Sequence, residues 1–169
     1  MKRKLTGPVL MLAALNAAVP LFSHAETAST EIRISGTVQA GSGCVINNNQ
    51  PIIVEFGEMQ IDDVIDGLHS KYFQFDIDCP GLDFGAPIKL QFRGKEFSYY
   101  PGSGFLDTSK DYLFINITRA NTTMRVNQTW LSMIQPDSPT FSAKLGVYEN
   151  ARPTTGEFNA TATVVVEIQ

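Results

Sequence analysis

The sequence predicts an all-β, immunoglobulin-like sandwich, and two features of the chain favour that class. Short runs of alternating apolar and polar residues recur from residue 30 to residue 168, with Gly, Pro and Asn between them. No window of a dozen residues in this stretch repeats its apolar residues with the 3.6-residue period of a helix. Short strands at turn-spaced intervals are typical of antiparallel sandwiches.

Residues 1–25 are expected to be a secretory signal peptide. A basic start at residues 2–4 precedes an apolar run over 9–22, and Ser23-His24-Ala25 offers small residues where signal peptidase cuts. The run is too short for a membrane anchor, and no later apolar stretch is long enough to insert into a membrane. We therefore expect a mature, exported chain of residues 26–169.

The strands of the first half are bounded by clear breaks in the alternation. The first covers residues 30–39 and ends at the Ala-Gly-Ser-Gly of 40–43, and the second covers 52–56 and ends at Gly57. Residues 58–69 are acidic and lack a clean period, which predicts a surface loop. A third strand over 71–79 places Phe73, Phe75, Ile77 and Cys79 on one face before Pro80-Gly81 stops it.

The second half repeats this alternation around one long loop. Strands are predicted near residues 88–92, 113–117, 130–134 and 140–148, with a loop rich in Gly, Ser and Tyr over 94–109. After a turn at 153–156, a last strand runs from Phe158 to Ile168, almost to the final residue. Both termini therefore carry long alternating patterns.

The two cysteines predict one disulfide. An exported chain meets an oxidising compartment, and Cys44–Cys79 is the only intramolecular pairing available. Closing a loop of this length is worth roughly 3–4 kcal/mol in the chain-entropy account. Two separate buried thiols, or a bridge to another molecule, are the alternatives.

Composition argues against nucleic acid, metal ions and catalysis. Asp and Glu number 17 against 13 Lys and Arg, and three of those basic residues lie in the predicted signal peptide. His69 is the only histidine after it; no G-x-S-x-G motif is present, and His69 with the two cysteines lacks zinc-ligand spacing. We expect no enzyme, no metal, no cofactor and no nucleic-acid partner.

The patterned ends suit pairing with another molecule. Most domains fray at their termini, whereas a long strand at either end leaves unpaired backbone groups unless something covers them. When a strand from another molecule is added, main-chain hydrogen bonds satisfy these groups, and pockets that bind alternate side chains give specificity. The alternative is that both strands pair inside their own domain.

Several short motifs follow one another along the mature chain. The first two are IRISGTV at 32–38 and GCVI at 43–46, and VEFG at 54–57 and FDIDCP at 75–80 follow them. The C-terminal segment opens with GEFNATATV at 156–164. In this order, with these cysteines, the chain resembles the pilin subunits of chaperone–usher pili, the fimbriae of Gram-negative bacteria. The resemblance covers the whole mature chain.

The resemblance implies an incomplete immunoglobulin-like sandwich that lacks its last strand and leaves an apolar groove open. A periplasmic pilus chaperone would fill the groove, and at the outer-membrane usher the N-terminal extension of the next pilin subunit would replace it. Residues 26–40 would be this extension, running into the first strand, and 41–169 the pilin domain. The donor strand would present Thr30, Ile32, Ile34, Gly36 and Val38.

The same resemblance assigns the C-terminal strand to the groove wall and to the chaperone contact. Gly36 matches a position where the family needs a small residue, since a glycine allows close backbone approach. Ile168 departs from the family, which commonly has an aromatic residue there. The residues assigned to this strand are Gly156, Phe158, Ala160, Ala162, Val164, Val166, Ile168 and Gln169.

The implied function is that of a structural subunit in a fimbria on the bacterial surface, and the aromatic content favours a minor adaptor near the tip. A major rod pilin is one alternative. A second is a self-contained carbohydrate-binding adhesin domain, with Tyr99 and Tyr100 of the 94–109 loop on a sugar. A third is a secreted hydrolase that pairs carboxylates from Asp62, Asp63, Asp66, Asp76 and Asp78.

Overall fold

The computed structural model of the chain describes residues 31–36 and 43–169. The predicted signal peptide, Thr30 and Val38 lie outside the described residues. Twelve strands and one short helix, α1 (Ile61–Ile65), are present there, with 3-10 turns at Asn47–Asn49 and Tyr148–Asn150. The strands are β1 (Glu31–Gly36), β2 (Val45–Ile46), β3 (Ile52–Glu55), β4 (Ser70–Gln74), β5 (Ile77–Asp78), β6 (Pro87–Gly94), β7 (Leu106–Asp107), β8 (Leu113–Arg119), β9 (Thr122–Thr123), β10 (Leu131–Ile134), β11 (Thr140–Val147) and β12 (Thr161–Ile168).

Two sheets pack face to face, as the alternation predicts. The first has the strand order β10-β6-β12-β1-β3, and the second has the order β4-β11-β8-β7 with β9 paired to β8. The short strands β2 and β5 form a separate pair. This all-β sandwich is of the immunoglobulin-like class expected from the sequence.

Four phenylalanine rings hold the sheets together at the centre. Phe92 of the first sheet meets Phe141 of the second edge-on, with ring centroids 5.0 Å apart. Phe73 and Phe75 stack on Phe141 at 5.7 and 5.6 Å. Such pairs add about 0.5–1.5 kcal/mol each beyond the area they bury.

The predicted strand over 71–79 is two strands. β4 pairs with β11 in the second sheet, and β5 pairs with β2. Phe73, Phe75, Ile77 and Cys79 are nevertheless all buried. The alternation therefore gave the correct face, while the change of partner strand, which periodicity does not encode, was missed.

The predicted disulfide is confirmed, since Cys44 and Cys79 are bonded and both are buried. It lies beside the β2–β5 pair, where residues 43–169 begin. We call this end of the sandwich the carboxyl pole, because β12 ends there: Gln169 donates its backbone N–H to the carbonyl of Pro87, 3.1 Å away.

The prediction of a plain surface loop over 58–69 was wrong. These residues contain α1, which buries Val64 against the core. The helix has five residues, too few to show a helical period in the sequence. It lies at the end of the sandwich where β3 ends and β12 begins, which we call the cavity pole.

The loop over 94–109 also contains more structure than its composition suggested. Phe97 is fully buried, and β7 lies within the loop, paired with β8. Gly104 has φ +70°, and a Cβ there would lie 2.2 Å from the Cβ of Arg125. Both the backbone conformation and the lack of space therefore exclude a side chain at position 104.

We expect Gly104→Ala to lower the free energy of unfolding by about 2 kcal/mol, because strain and a backbone clash act together. Urea unfolding measures the loss. Gly102→Ala is the matched control: its φ is +79°, but nothing lies within 4 Å of an added Cβ. Equal losses for the two variants would contradict the role of the clash.

Candidate functional site

The candidate site is the slot between β12 and β3 in the first sheet. In this single chain the slot holds β1, which pairs with β12 on one side and with β3 on the other. Residues 43–169 supply both walls but no strand between them. The segment predicted to enter a neighbouring subunit thus lies in the slot of its own chain.

The register sets the predicted donor positions opposite core residues. Ile32 pairs with Val54, and Ile34 lies between Ile52 and Ala162. Gly36 lies opposite Val164, which is fully buried. Arg33 and Ser35 alternate with these and lie opposite Thr161 and Thr163, which are not buried.

Most of the C-terminal residues assigned to the groove line the core, although the strand is shorter than predicted. The ladder begins at Thr161; before it, Asn159 exchanges hydrogen bonds with Ser109 instead of with a strand. Val165, on the opposite face of β12, is also buried. The buried residues of the assigned set are Phe158, Ala160, Ala162, Val164 and Val166.

The last two residues of the assigned set are less enclosed. Ile168 pairs with Ile88 but is 37% exposed, and Gln169 is exposed. Gly156 has φ +110°, which a side chain rarely adopts, and it turns the chain toward β12. An exposed isoleucine at the carboxyl pole leaves apolar surface available to a partner there.

The second wall of the slot was not recognised from the sequence as part of the site. Ile52, Val54 and Phe56 of β3 and its end are buried, and the ring of Phe56 lies 6.2 Å from that of Phe158. The signal was present in the alternation of 52–56. Strand pairing between β1 and β3 is what assigns it to the groove.

The direction of β1 sets it apart from every other pairing described for this chain. It runs parallel to β12, whereas the other ladders are antiparallel. Parallel ladders have slanted hydrogen bonds and are slightly less stable per residue. A strand inserted in the opposite direction would pair antiparallel with β12 and parallel with β3, so it would also form one ladder of each kind and could replace β1 without loss of pairing.

A cavity of about 750 Å³ opens at the cavity pole, where the slot ends. Apolar side chains from α1, β8 and the approach to β12 line it, with a polar rim. His69 lines it too, its Nε2 atom 3.9 Å from Asp63. The apolar lining residues include Met59, Val64, Leu113 and Phe158.

The tyrosines of the 94–109 loop pack on the edge of the sandwich. Tyr99 stacks near Tyr112 and Tyr148, with ring centroids 4.6 and 6.0 Å away, and it also contacts buried Phe97. Desolvation, and then the charge of Asp111, raises the pKa of Tyr99. Tyr100 is 57% exposed, so one ring of this loop remains open to solvent.

The carboxylates considered for hydrolysis fall into two separate groups. Asp62, Asp63 and Asp66 lie in or at the end of α1 at the cavity pole, whereas Asp76 precedes β5 and Asp78 ends it, near the carboxyl pole. Among the described residues, no cluster of His, Cys, Asp and Glu could hold a metal ion. Within the same residues no helix reaches the length and apolarity needed to cross a bilayer.

Comparison with known proteins identifies the fold and the family. Residues 32–169 match the family model described as fimbrial protein. The chain is similar to the P pilus rod subunit PapA, with a TM-score of 0.55 and 17% identity over 75% of this chain and 99% of that one. No curated protein matched the sequence.

A second similar structure is a chain from a chaperone–usher pilus, solved to explain rod uncoiling. The TM-score is 0.56 and the identity 16%, over 96% of this chain and 100% of that one. At such identities the likeness concerns the fold. The slot and the strand that fills it are known from the strand pairing of this chain, and not from the likeness.

Proposed function

Because the chain belongs to the fimbrial protein family, we propose that it polymerises by donor strand exchange as a subunit of a chaperone–usher fimbria. Members of this family are structural subunits, exported and assembled on the cell surface, and not enzymes. The proposed exchange places Glu31–Gly36 of one subunit between β12 and β3 of the next.

One observation carries this proposal: the central slot of the first sheet is filled only by a segment from outside residues 43–169. An unfilled slot would expose two strand edges and the apolar side chains between them, which is an aggregation hazard. A periplasmic chaperone would cover the slot before assembly, and the outer-membrane usher would be the place of exchange. Neighbouring subunits are then the final partners.

The donor positions would be Thr30, Ile32, Ile34, Gly36 and Val38. Pairing of the central three with buried positions of the walls supports this assignment. Each apolar side chain docked there would contribute on the order of 1.5–3 kcal/mol, enough together for slow dissociation. Gly36 would pass close to Val164 without a side chain of its own.

We expect Ile34→Asp to reduce surface fibres at least tenfold, because it sets a carboxylate opposite Ile52 and Ala162 in the core. Fibres are counted by electron microscopy on bacteria that supply the chaperone and usher, beside the amount of chain in the periplasm. Ser35→Asp, opposite half-buried Thr163, is the matched control and should assemble normally. Donor strand exchange would be refuted if Ile34→Asp gave as many fibres as the control from an equal amount of chain in the periplasm.

Within the fibre we propose a minor adaptor position near the tip, supporting adhesion. The support is the aromatic content of the chain, together with the exposure of Tyr99 and Tyr100, at 40% and 57% of their surfaces. Immunogold labelling tests the position: label at or near fibre ends is expected. Label along the whole shaft would make the chain a major rod pilin instead.

A further inference from the structure

Phe84 is the most exposed large apolar side chain of the described residues, at 88% of its surface. Single exposed apolar residues are common in folded proteins and by themselves mean little. What distinguishes Phe84 is the loop that carries it. This loop, residues 80–86, connects the disulfide at Cys79 to β6.

A buried amide makes the loop rigid. Gln135 is 4% exposed, and its Nε2 atom donates hydrogen bonds to the carbonyls of Leu82 and Asp83, at 3.2 and 2.7 Å. The backbone of Gln135 bonds the two residues that follow Phe84: Gly85 N–H donates to the Gln135 carbonyl, and Gln135 N–H donates to the carbonyl of Ala86. A buried polar group used in this way fixes the loop, so Phe84 is held out at a set position.

The loop lies at the carboxyl pole, where the strand-bearing extension joins the rest of the chain. Cys44, bonded to Cys79, lies next to the start of the described range 43–169, and only residues 37–43 separate it from Gly36. Seven residues span at most about 25 Å. When β1 lies in the slot of another copy, the Phe84 loop of the donor must therefore stand close to that copy.

The direction of insertion selects the surface that the loop would meet. A strand that entered a neighbour's slot in the direction of β1 would bring two carboxyl poles together and close a swapped pair. An open fibre instead needs a strand that runs antiparallel to β12 and parallel to β3, and such a strand leaves the slot where β12 begins. That is the cavity pole, where Leu68 is 69% exposed beside the apolar cavity. A contact between opposite ends of two copies is heterologous and continues along an open filament.

We propose that the Phe84 loop of each subunit packs on the cavity pole, at Leu68, of the subunit that holds its donor strand. The inference rests on the proposed donor strand exchange and adds a second contact, between folded bodies, to the strand contact. Its role is to stiffen the junction that residues 37–43 bridge. An aromatic anchor in an apolar recess is the kind of contact that dominates protein interfaces.

The test uses isolated fibres of the full chain carrying Phe84→Ala. We expect them to dissociate in guanidinium about tenfold faster than wild-type fibres, as followed by light scattering. Tyr72→Ala is the matched control, because Tyr72 is 80% exposed but lies in the middle of β4, away from both poles. Leu68→Lys alters the other side of the contact, and combining it with Phe84→Ala should add little.

The outcomes separate this inference from the proposed function. Wild-type rates for both Phe84→Ala and Leu68→Lys would overturn the body contact while leaving strand exchange intact. Failure of the wild-type chain to form fibres would overturn the proposed function itself. If Phe84→Ala lowers the melting temperature of the free chain, its faster dissociation can come from lost stability. The dissociation rate of Leu68→Lys fibres then decides whether the contact between bodies exists. If Phe84→Ala chain folds but never leaves the periplasm, the loop serves the chaperone and the proposal is wrong.

Discussion

Removal of residues 26–40 is expected to abolish cooperative folding of the isolated chain. The deletion takes β1 from the slot, which leaves β12 with one unpaired edge and removes the only ladder partner that β3 has among the described residues. Ile32 and Ile34 pair with buried wall residues, and docking two apolar side chains in such a slot is worth about 3–6 kcal/mol, at 1.5–3 kcal/mol each. Domains of this size have only about 5–15 kcal/mol of stability in total. The loss of backbone pairing adds to the deficit, so we expect aggregation or a largely unfolded chain.

Circular dichroism during heating, together with soluble yield, measures the effect. Deletion of residues 26–29 is the control, since it leaves the whole of β1 in place. A peptide of residues 28–40 added to the truncated chain should restore a cooperative transition, because the slot accepts the strand without a covalent link. A truncated chain that melts like the control, and ignores the peptide, would mean that residues 41–169 are a complete fold.

The alternation of the strands was enough to predict the sandwich and most of its core. It identified the inward positions of 71–79 and of the last strand even where the strand bounds were wrong. Phe158 and Ala160 are buried although the ladder starts at Thr161. Period-2 patterns report the face on which a side chain lies, which depends on burial more than on the hydrogen bonds of the backbone.

The alternation of apolar and polar residues did not predict which strands pair or how the loops are structured. Nothing in the run of 52–56 says that its neighbour in the sheet is β1, because partner choice is a long-range property. The same holds for the direction of β1, for α1 and for the buried amide of Gln135 that fixes the Phe84 loop. The sequence predicted a donor strand through a family resemblance, and the structure supplied the walls that could receive it.

The second large effect is expected from the disulfide, through Cys44→Ser. Loss of the Cys44–Cys79 bond should lower the free energy of unfolding by about 3–4 kcal/mol, because the unfolded chain regains the freedom of the closed loop. Both sulfur positions are buried, so the serine hydroxyl that replaces one adds a small polar cost. Guanidinium unfolding of the free chain, under oxidising conditions, gives the difference.

The disulfide also joins the start of residues 43–169 to the loop that carries Phe84. Peptide binding distinguishes an effect on the unfolded chain from an effect on the shape of the slot. If the disulfide acts only on the unfolded state, donor peptide should displace β1 from the slot of the folded Cys44→Ser chain at low temperature with the wild-type apparent affinity, because the slot is unchanged. Weaker peptide binding by the folded variant would contradict that account and would assign the bond a part in shaping the slot. Cys44→Ser with Cys79→Ser is the control, since it removes the same bond and leaves no free thiol. Equal stability of the double variant and the wild type would refute the predicted loss.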